Sequence, residues 1–329
     1  MRQETTAVIP SIEERAELAR ADILDAFAVF LRLNVAEGDA SPETIRAYHA
    51  QVGAFVEWCE AKGINPALAT DEGIALYRKE LVEAGYARTT ISAKLNAVRR
   101  LYQAAAWRGL RRDNPAEGIR PPGERTAPEE RVKFLPLAGL MTLLDAPPDN
   151  VKGKRDRVIL ALMGKHGLRV SEVVGLGVGD YHAEEPAYIV VHGKGKKERT
   201  VYLTASTKAT LEAWIEARGE PGGSFLFVAL DHAHRGTPLT TNGARHIVDG
   251  WLEELGLKGR GISCHALRHS AATWARAGGA KVDAIADMLG HSSVDTTRIY
   301  SKIVDRLKEN PTRYLEELMG RGGDEEPEL

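Results

Sequence analysis

The chain lacks most of the features that assign a protein's class at a glance. Cysteine occurs only as Cys59 and Cys264 in 329 residues, with no C-x-x-C spacing. A disulfide framework is excluded and two reduced thiols are expected. No apolar run approaches the roughly 18 residues that a membrane-spanning helix needs, so no membrane partner is expected. The first residues lead into the charged stretch Ser11-Ile-Glu-Glu-Arg without the apolar core of a signal peptide, which implies a cytoplasmic protein. Excess charge is missing too: 44 Lys plus Arg face 46 Asp plus Glu, for a net −2. Taken whole, that balance argues against a nucleic-acid partner, whose usual footprint is a domain with a pI above about 9.

The local distribution reverses this impression. Residues 1–39 and 313–329 each carry −4, so the stretch 40–312 carries +6. Within it, Arg78 to Arg112 holds nine basic side chains against Glu80 and Glu83, a local +7. A charge run can be a solvated helix face or a phosphate-binding stripe. The candidate DNA contacts in it are Arg88, Lys94, Arg99 and Arg100.

The first third reads as helices. Ser41-Pro42-Glu43 supplies an N-cap, a first-turn proline and an early acid ahead of the periodic Ile45, Tyr48, Val52, Phe55, Val56 and Cys59. Two more helices are predicted over Asp71–Glu83 and Thr89–Trp107, the second with Lys94, Arg99 and Arg100 facing outward. Proline and glycine then mark an interdomain linker. Beyond it, helices are expected near Leu137–Leu144 and Arg155–Lys165, followed by a β-rich insert over Tyr181–Leu203. There Ala187-Tyr-Ile-Val-Val and Arg199-Thr-Val-Tyr-Leu flank a glycine-containing turn, a hairpin pattern. Helices resume near Ser206–Arg218, and Phe225–Val228 is one more candidate short strand. The fold class is therefore mainly α with a small β-sheet. Its parts are a helical domain at 18–118, a linker at 119–134, a second domain at 135–312 and a tail at 313–329.

Four separated segments of the second domain carry residues suited to one reaction. In His166-Gly167-Leu168-Arg169-Val170-Ser171-Glu172, Arg169 follows a glycine at a helix junction, where a guanidinium fork can face an anion. Glu172, three residues on, can orient its neighbours or be a solvated carboxylate. In Gly193-Lys194-Gly195-Lys196-Lys197-Glu198-Arg199, Lys194 sits between glycines on the turn. There it can act as a general acid or touch a phosphate, as can Lys196 and Lys197. In His265-Ala266-Leu267-Arg268-His269, His265 and Arg268 share one helix face. His265 and His269 also stand at a zinc-like i, i+4 spacing, but without the acid of H-E-x-x-H or an evident third ligand. His232 and His234 are a looser pair of the same kind. The fourth segment runs from His291 through a Ser/Thr-rich turn to Tyr300.

Two arginines, a lysine, two histidines and a tyrosine suit phosphoryl transfer at a phosphodiester. The arginines would neutralise the nonbridging oxygens, each donor contributing a few kcal/mol in a dry site. A tyrosine nucleophile would keep the phosphodiester's energy in a covalent link without metal or nucleotide. Its pKa near 10 demands a neighbouring base or a cationic site, for which His265 is the natural candidate, with His291 on the phosphate.

These stretches resemble the tyrosine recombinases of the phage-integrase superfamily, close to the bacterial Xer type. They are G-L-R-V-S-E-V-V-G-L around Arg169, G-K-G-K-K-E-R around Lys194, H-A-L-R-H-S-A-A-T from His265, and L-G-H-S-S-V-D-T-T-R-I-Y ending at Tyr300. The resemblance implies Arg169, Lys194, His265, Arg268 and His291 as the activating set, Tyr300 as nucleophile and Glu172 as an accessory residue, with no cofactor and no metal. It implies that the helical domain is a SAM-like core-site-binding domain and that the two domains form a C-shaped clamp on double-stranded DNA. It further implies a homotetramer on synapsed sites, or a heterotetramer with a paralogue. The tail, with Leu315, Leu318 and Met319 as its apolar side chains, would then pack on a neighbouring protomer, the alternative being a helix folded back on its own domain. A type IB topoisomerase shares the same constellation, and a catalytically silent DNA-binding protein is the alternative outside enzymes.

Overall fold

The computed structural model describes residues 20–124, 126–193, 197–219, 223–291 and 294–308, and divides the chain into two compact units that meet at residues 125 and 126. The tail, together with Lys194 and Lys196, lies outside the described residues. Among the described residues, no helix is long and apolar enough to cross a membrane.

The first unit is helical: α1 (Arg20–Asn34), α2 (Pro42–Ala61), α3 (Asp71–Glu83) and α4 (Arg88–Trp107). The cap expected at Ser41 is present, its side chain accepting from the Thr44 N–H at 3.2 Å with Pro42 in the first turn. Thr70 caps α3 in the same way. Each helix turns one apolar stripe inward, and Ile23, Phe27, Phe55, Ile74, Leu95, Leu101 and Tyr102 close a single core. Phe55 stands at its aromatic centre, with Tyr77 and Tyr102 edge-on at 5.1 and 6.2 Å. The Tyr102 hydroxyl, buried by this packing, donates to the Pro66 carbonyl at 2.8 Å.

The second unit contains α5 (Pro128–Arg131), α6 (Leu137–Asp145), α7 (Val151–Gly164), α8 (Val170–Gly175), β1 (Tyr181–His182), β2 (Tyr188–His192), β3 (Glu198–Tyr202), α9 (Ala205–Arg218), α10 (Thr241–Glu254), α11 (Cys264–Ala277), α12 (Val282–Leu289) and α13 (Asp295–Lys308). The strands form one antiparallel sheet in the order β1-β2-β3, with Val190 opposite Thr200. Phe225–Val228 contributes isolated bridges to Gly177 and Pro238 and no strand. Helix α7 starts earlier than its apolar pattern suggests, because the Asn150 side chain caps Gly153 at 2.8 Å. From Arg155 to Gly164 every residue but Arg157 is buried, which is why its sequence shows little amphipathic contrast. Its Arg155 and Asp156 pair inside the core, and Asp156 also accepts from the Trp251 indole of α10 at 3.1 Å.

Part of the stretch read as a linker packs on the second unit. Val132 and Phe134 lie against the apolar cluster of Ala272, Ile285, Leu289, Tyr300 and Ile303, and Arg306 pairs with Glu129 and Glu130. Two large apolar side chains among prolines and charges suffice to anchor a short segment.

Candidate active site

The site is built on a buried carboxylate. Arg169 is the N-cap of α8, and Glu172, three residues into that helix, reaches back to accept the Arg169 backbone N–H at 2.7 Å and its guanidinium at 2.8 Å. From β3, Arg199 grips the same carboxylate with both terminal nitrogens at 2.9 Å, and Arg268 of α11 approaches it at 4.0 Å. Burial pushes the Glu172 carboxyl up, but hydrogen bonds from Arg199 and Arg169 outweigh this and hold it below the usual carboxylate value. Glu172 stays ionised, and one negative charge organises three guanidinium groups.

Glycine makes the junction possible. Gly167 has φ +67, and a Cβ there would lie 2.5 Å from the Leu289 side chain. Its carbonyl accepts from Arg268 at 2.6 Å, and the Leu289 carbonyl takes the other arm at 2.6 Å. Arg268 is 2% exposed and is held by the loop before α8 and by the end of α12 at once. Burial and the neighbouring Arg169 lower its pKa to about 10, which leaves it fully charged at neutral pH. Gly290 ends α12 in the left-handed conformation at φ +64, against the Arg199 guanidinium, whose Nε donates to the Met288 carbonyl at 3.1 Å.

Three histidines and the tyrosine surround this cluster. His265 opens α11 on the exposed side, its pKa lowered by desolvation, then Arg268 and Arg169. His291 follows α12, with Nδ1 2.8 Å from the hydroxyl of buried Thr297. Desolvation and the fields of Arg268, Arg169 and Arg199 bring it down to about 4. Tyr300 lies in α13, 2% exposed, and the residue at its phenol is His269, with Nδ1 2.8 Å from Oη. Burial raises the Tyr300 pKa, while Arg268 and Arg169 pull it back.

The structure thus brings Arg169, Glu172, His265, Arg268, His291 and Tyr300 into one electrostatic neighbourhood. The base expected from His265 is not what bonds the phenol. In the sequence His269 stands out only through a zinc-like spacing that lacks the acid and third ligand of a metal site, and Arg199 only as the end of a hairpin motif. Among the described residues, no cluster of three or more His, Cys, Asp or Glu is placed to hold a metal ion. His234 instead pairs with Asp231 at 2.8 Å. At the hairpin neck, His192 bridges Asp180 at 2.9 Å and Glu198 at 3.1 Å, and Lys197 is exposed.

In the first unit, the predicted DNA-contact side chains divide. Arg99 donates to the carbonyls of Ala116 and Ile119, at 3.3 and 2.9 Å, and Arg88 to that of Pro122 at 2.8 Å. Both fasten the segment that follows α4. Lys94 lies over the Tyr86 ring, 5.4 Å from its centroid, and Arg100 bonds Gln103 on the exposed face at 2.7 Å.

A helical unit joined to a unit with this sheet and arginine cluster defines a tyrosine recombinase. Residues 133–306 match the phage integrase family, residues 27–109 match the phage integrase N-terminal SAM-like domain, and the chain belongs to the phage integrase family. It is 32% identical over 296 residues to tyrosine recombinase XerC of Neisseria gonorrhoeae, covering 85% of this chain and 93% of that protein. It is 30% identical over 302 residues to tyrosine recombinase XerA of Thermococcus kodakarensis, covering 91% and 98%. The fold is shared with the XerH site-specific recombinase solved on palindromic difH substrate in a post-cleavage complex. That likeness has a TM-score of 0.71 at 20% identity and covers 88% of this chain and 85% of that one.

Proposed function

We propose that this chain is a site-specific recombinase that cleaves and rejoins double-stranded DNA through a 3′-phosphotyrosyl intermediate. The observation that carries the reading is the arginine cluster around Glu172 beside the tyrosine of α13. Arg169 and Arg268 take the nonbridging oxygens of the scissile phosphate as negative charge grows on them. The Tyr300 oxygen forms the new bond to phosphorus, and the bond from phosphorus to the 5′ oxygen breaks. Lys194 supplies the proton to that oxygen, and His265 and His291 bond the phosphate from the exposed side. The retained phosphotyrosyl bond allows the free 5′ hydroxyl of a partner strand to reverse the step without an external energy source.

Strand exchange then proceeds through a Holliday junction in a tetramer on two synapsed duplexes, in the cytoplasm. Chromosome dimer resolution and mobile-element integration both use this chemistry. Arg100 and Lys94 of the first unit and Lys196 and Lys197 of the second supply phosphate contacts, with Arg88 and Arg99 ordering the segment that follows α4. Sequencing DNA crosslinked to the protein in cells gives the core site. A nicked duplex carrying that site then traps the covalent adduct. Tyr300→Phe abolishes the adduct, and an adduct that persists overturns the assignment. Lys194→Ala slows cleavage while leaving binding mostly intact.

A further inference from the structure

The phenol of Tyr300 is buried, and that poses a question the arginine cluster does not answer: where its proton goes. With Tyr300 2% exposed in the cluster of Ala272, Ile285, Leu289 and Ile303, bulk water is not at the oxygen. The hydrogen-bond partner on Oη is His269 Nδ1 at 2.8 Å, from the face of α11 that α13 covers. The two rings are tilted at 50° with centroids 5.9 Å apart, so the contact runs through the edges and leaves the phenol face to the apolar cluster. His265, one helical turn earlier, meets the His269 ring edge-on at 5.1 Å and lies on the exposed side.

Resting on the recombinase reading, we propose that His269 is a catalytic residue that takes the Tyr300 proton as the phenolic oxygen attacks phosphorus. In the step, Tyr300 Oη–H gives its proton to His269 Nδ1 while its electron pair forms the O–P bond. The bond from phosphorus to the 5′ oxygen breaks with its electrons going to that oxygen, which is protonated from the hairpin lysine. The imidazolium returns the proton to Oη when the strand is rejoined.

The surroundings of the pair make this base dependent on substrate. Burial, then His265, Arg268 and His291, hold His269 at about 4, and Tyr300 faces it from α13 with its own pKa raised. Without DNA both rings stay neutral and the nucleophile is inert. A phosphodiester drawn in by Arg169 and Arg268 carries −1 and grows toward −2 in the transition state. It offsets the cations that depress His269 at the moment the imidazole must become positive. A resting protein would therefore not attack stray electrophiles or water-exposed phosphates.

The test compares His269→Asn with the parent chain on the nicked duplex in single-turnover adduct formation. Asparagine keeps a hydrogen-bonding side chain but cannot take the proton. Cleavage is expected to fall about 100-fold or more, to lose the acid limb of its pH profile, and to recover in part with added imidazole. DNA binding is expected to stay unchanged. Sulfur in place of the bridging 5′ oxygen, which leaves without a proton, is expected to rescue Lys194→Ala but not His269→Asn. Cleavage within threefold of the parent, a retained acid limb, or rescue by sulfur overturns the proposal. Should the variant misfold, ¹⁵N NMR of the histidine-labelled parent without DNA decides: Nδ1 of His269 is expected unprotonated with the proton on Nε2, and a proton on Nδ1 overturns it. An absence of any adduct with the parent chain refutes the recombinase reading instead, while His269→Asn cleaving like the parent leaves that reading intact and sinks only the role of His269.

Discussion

In the first unit Arg88, Arg99 and Arg111 donate to backbone carbonyls, those of Pro122, Ala116 and Ile119, and Ala67 and Ala69. Each also reaches a side chain, Glu124, Asn96 and Asp113 respectively. In the second, Arg169 and Arg199 converge on one buried carboxylate, and Arg268 approaches it from carbonyls on two different elements. Both regions are arginine-rich, and both arrangements order the chain. They differ in what remains for a ligand. Guanidinium groups that tie down loops stiffen a scaffold and leave binding to neighbours such as Arg100. Guanidinium groups sharing one carboxylate keep a surplus of positive charge in a shielded place, where it acts strongly on a phosphate.

Acid is expected to separate the two units most strongly. His166, His269 and His291 all lie in the second unit with pKa values near 4, each lowered first by burial. Their unfolded value is about 6.5, so between about 4 and 6.5 the unfolded chain binds more protons. Their contribution is intact above about pH 6.5 and is lost as pH falls toward 4. Taking the protein from pH 7 to 5 is expected to cost the second unit on the order of 4 kcal/mol. Hydrogen exchange read by mass spectrometry separates the units, and equal loss of protection in both would contradict the assignment. Next comes Glu172→Gln, which strands Arg199 and Arg268 without a counter-charge. It is expected to destabilise the second unit by about 3 kcal/mol in urea and to suppress cleavage. Gly167→Ala, which meets both a positive φ and Leu289, is expected to cost about 2 kcal/mol in the same titration.

The smallest effects sharpen the contrast inside the first unit. Arg99→Ala is expected to lower its stability by about 1 to 2 kcal/mol, since two carbonyls lose a charged donor. Arg100→Ala is expected to change stability by less than about 0.5 kcal/mol and to reduce the salt slope of DNA binding by about 1. A reversed outcome, with Arg99 controlling the salt slope, would mean that the carbonyl contacts yield to phosphate on binding.

How much of this is legible in the sequence depends on whether the cause is local. The helix over Asp71–Glu83 and the cap at Ser41 follow from spacing and side-chain chemistry within one or two turns, and the structure has both. The hairpin pattern likewise yields β2 and β3. Arg169, Arg268 and Tyr300 stand out because each sits in a contiguous stretch that resembles a family motif. His269 does not, because its meaning comes from a residue 31 positions away, and its spacing from His265 suggests only an incomplete zinc pattern. Arg199 is 27 positions from the carboxylate it grips, and no periodicity reports such a contact. The early start of α7 is hidden for a different reason: its first turn, Val151-Lys152-Gly153-Lys154, has Val151 and Lys152 exposed and carries no apolar stripe, so only the Asn150 cap marks it.

Tyr300 Oη is the atom proposed to join protein to DNA. Mass spectrometry of proteolytic peptides from the trapped nicked-duplex adduct tests that most directly. The prediction is a nucleotide mass on the peptide containing Tyr300, absent from Tyr300→Phe. Nucleotide found on any other residue, or an adduct that survives in Tyr300→Phe, would contradict it.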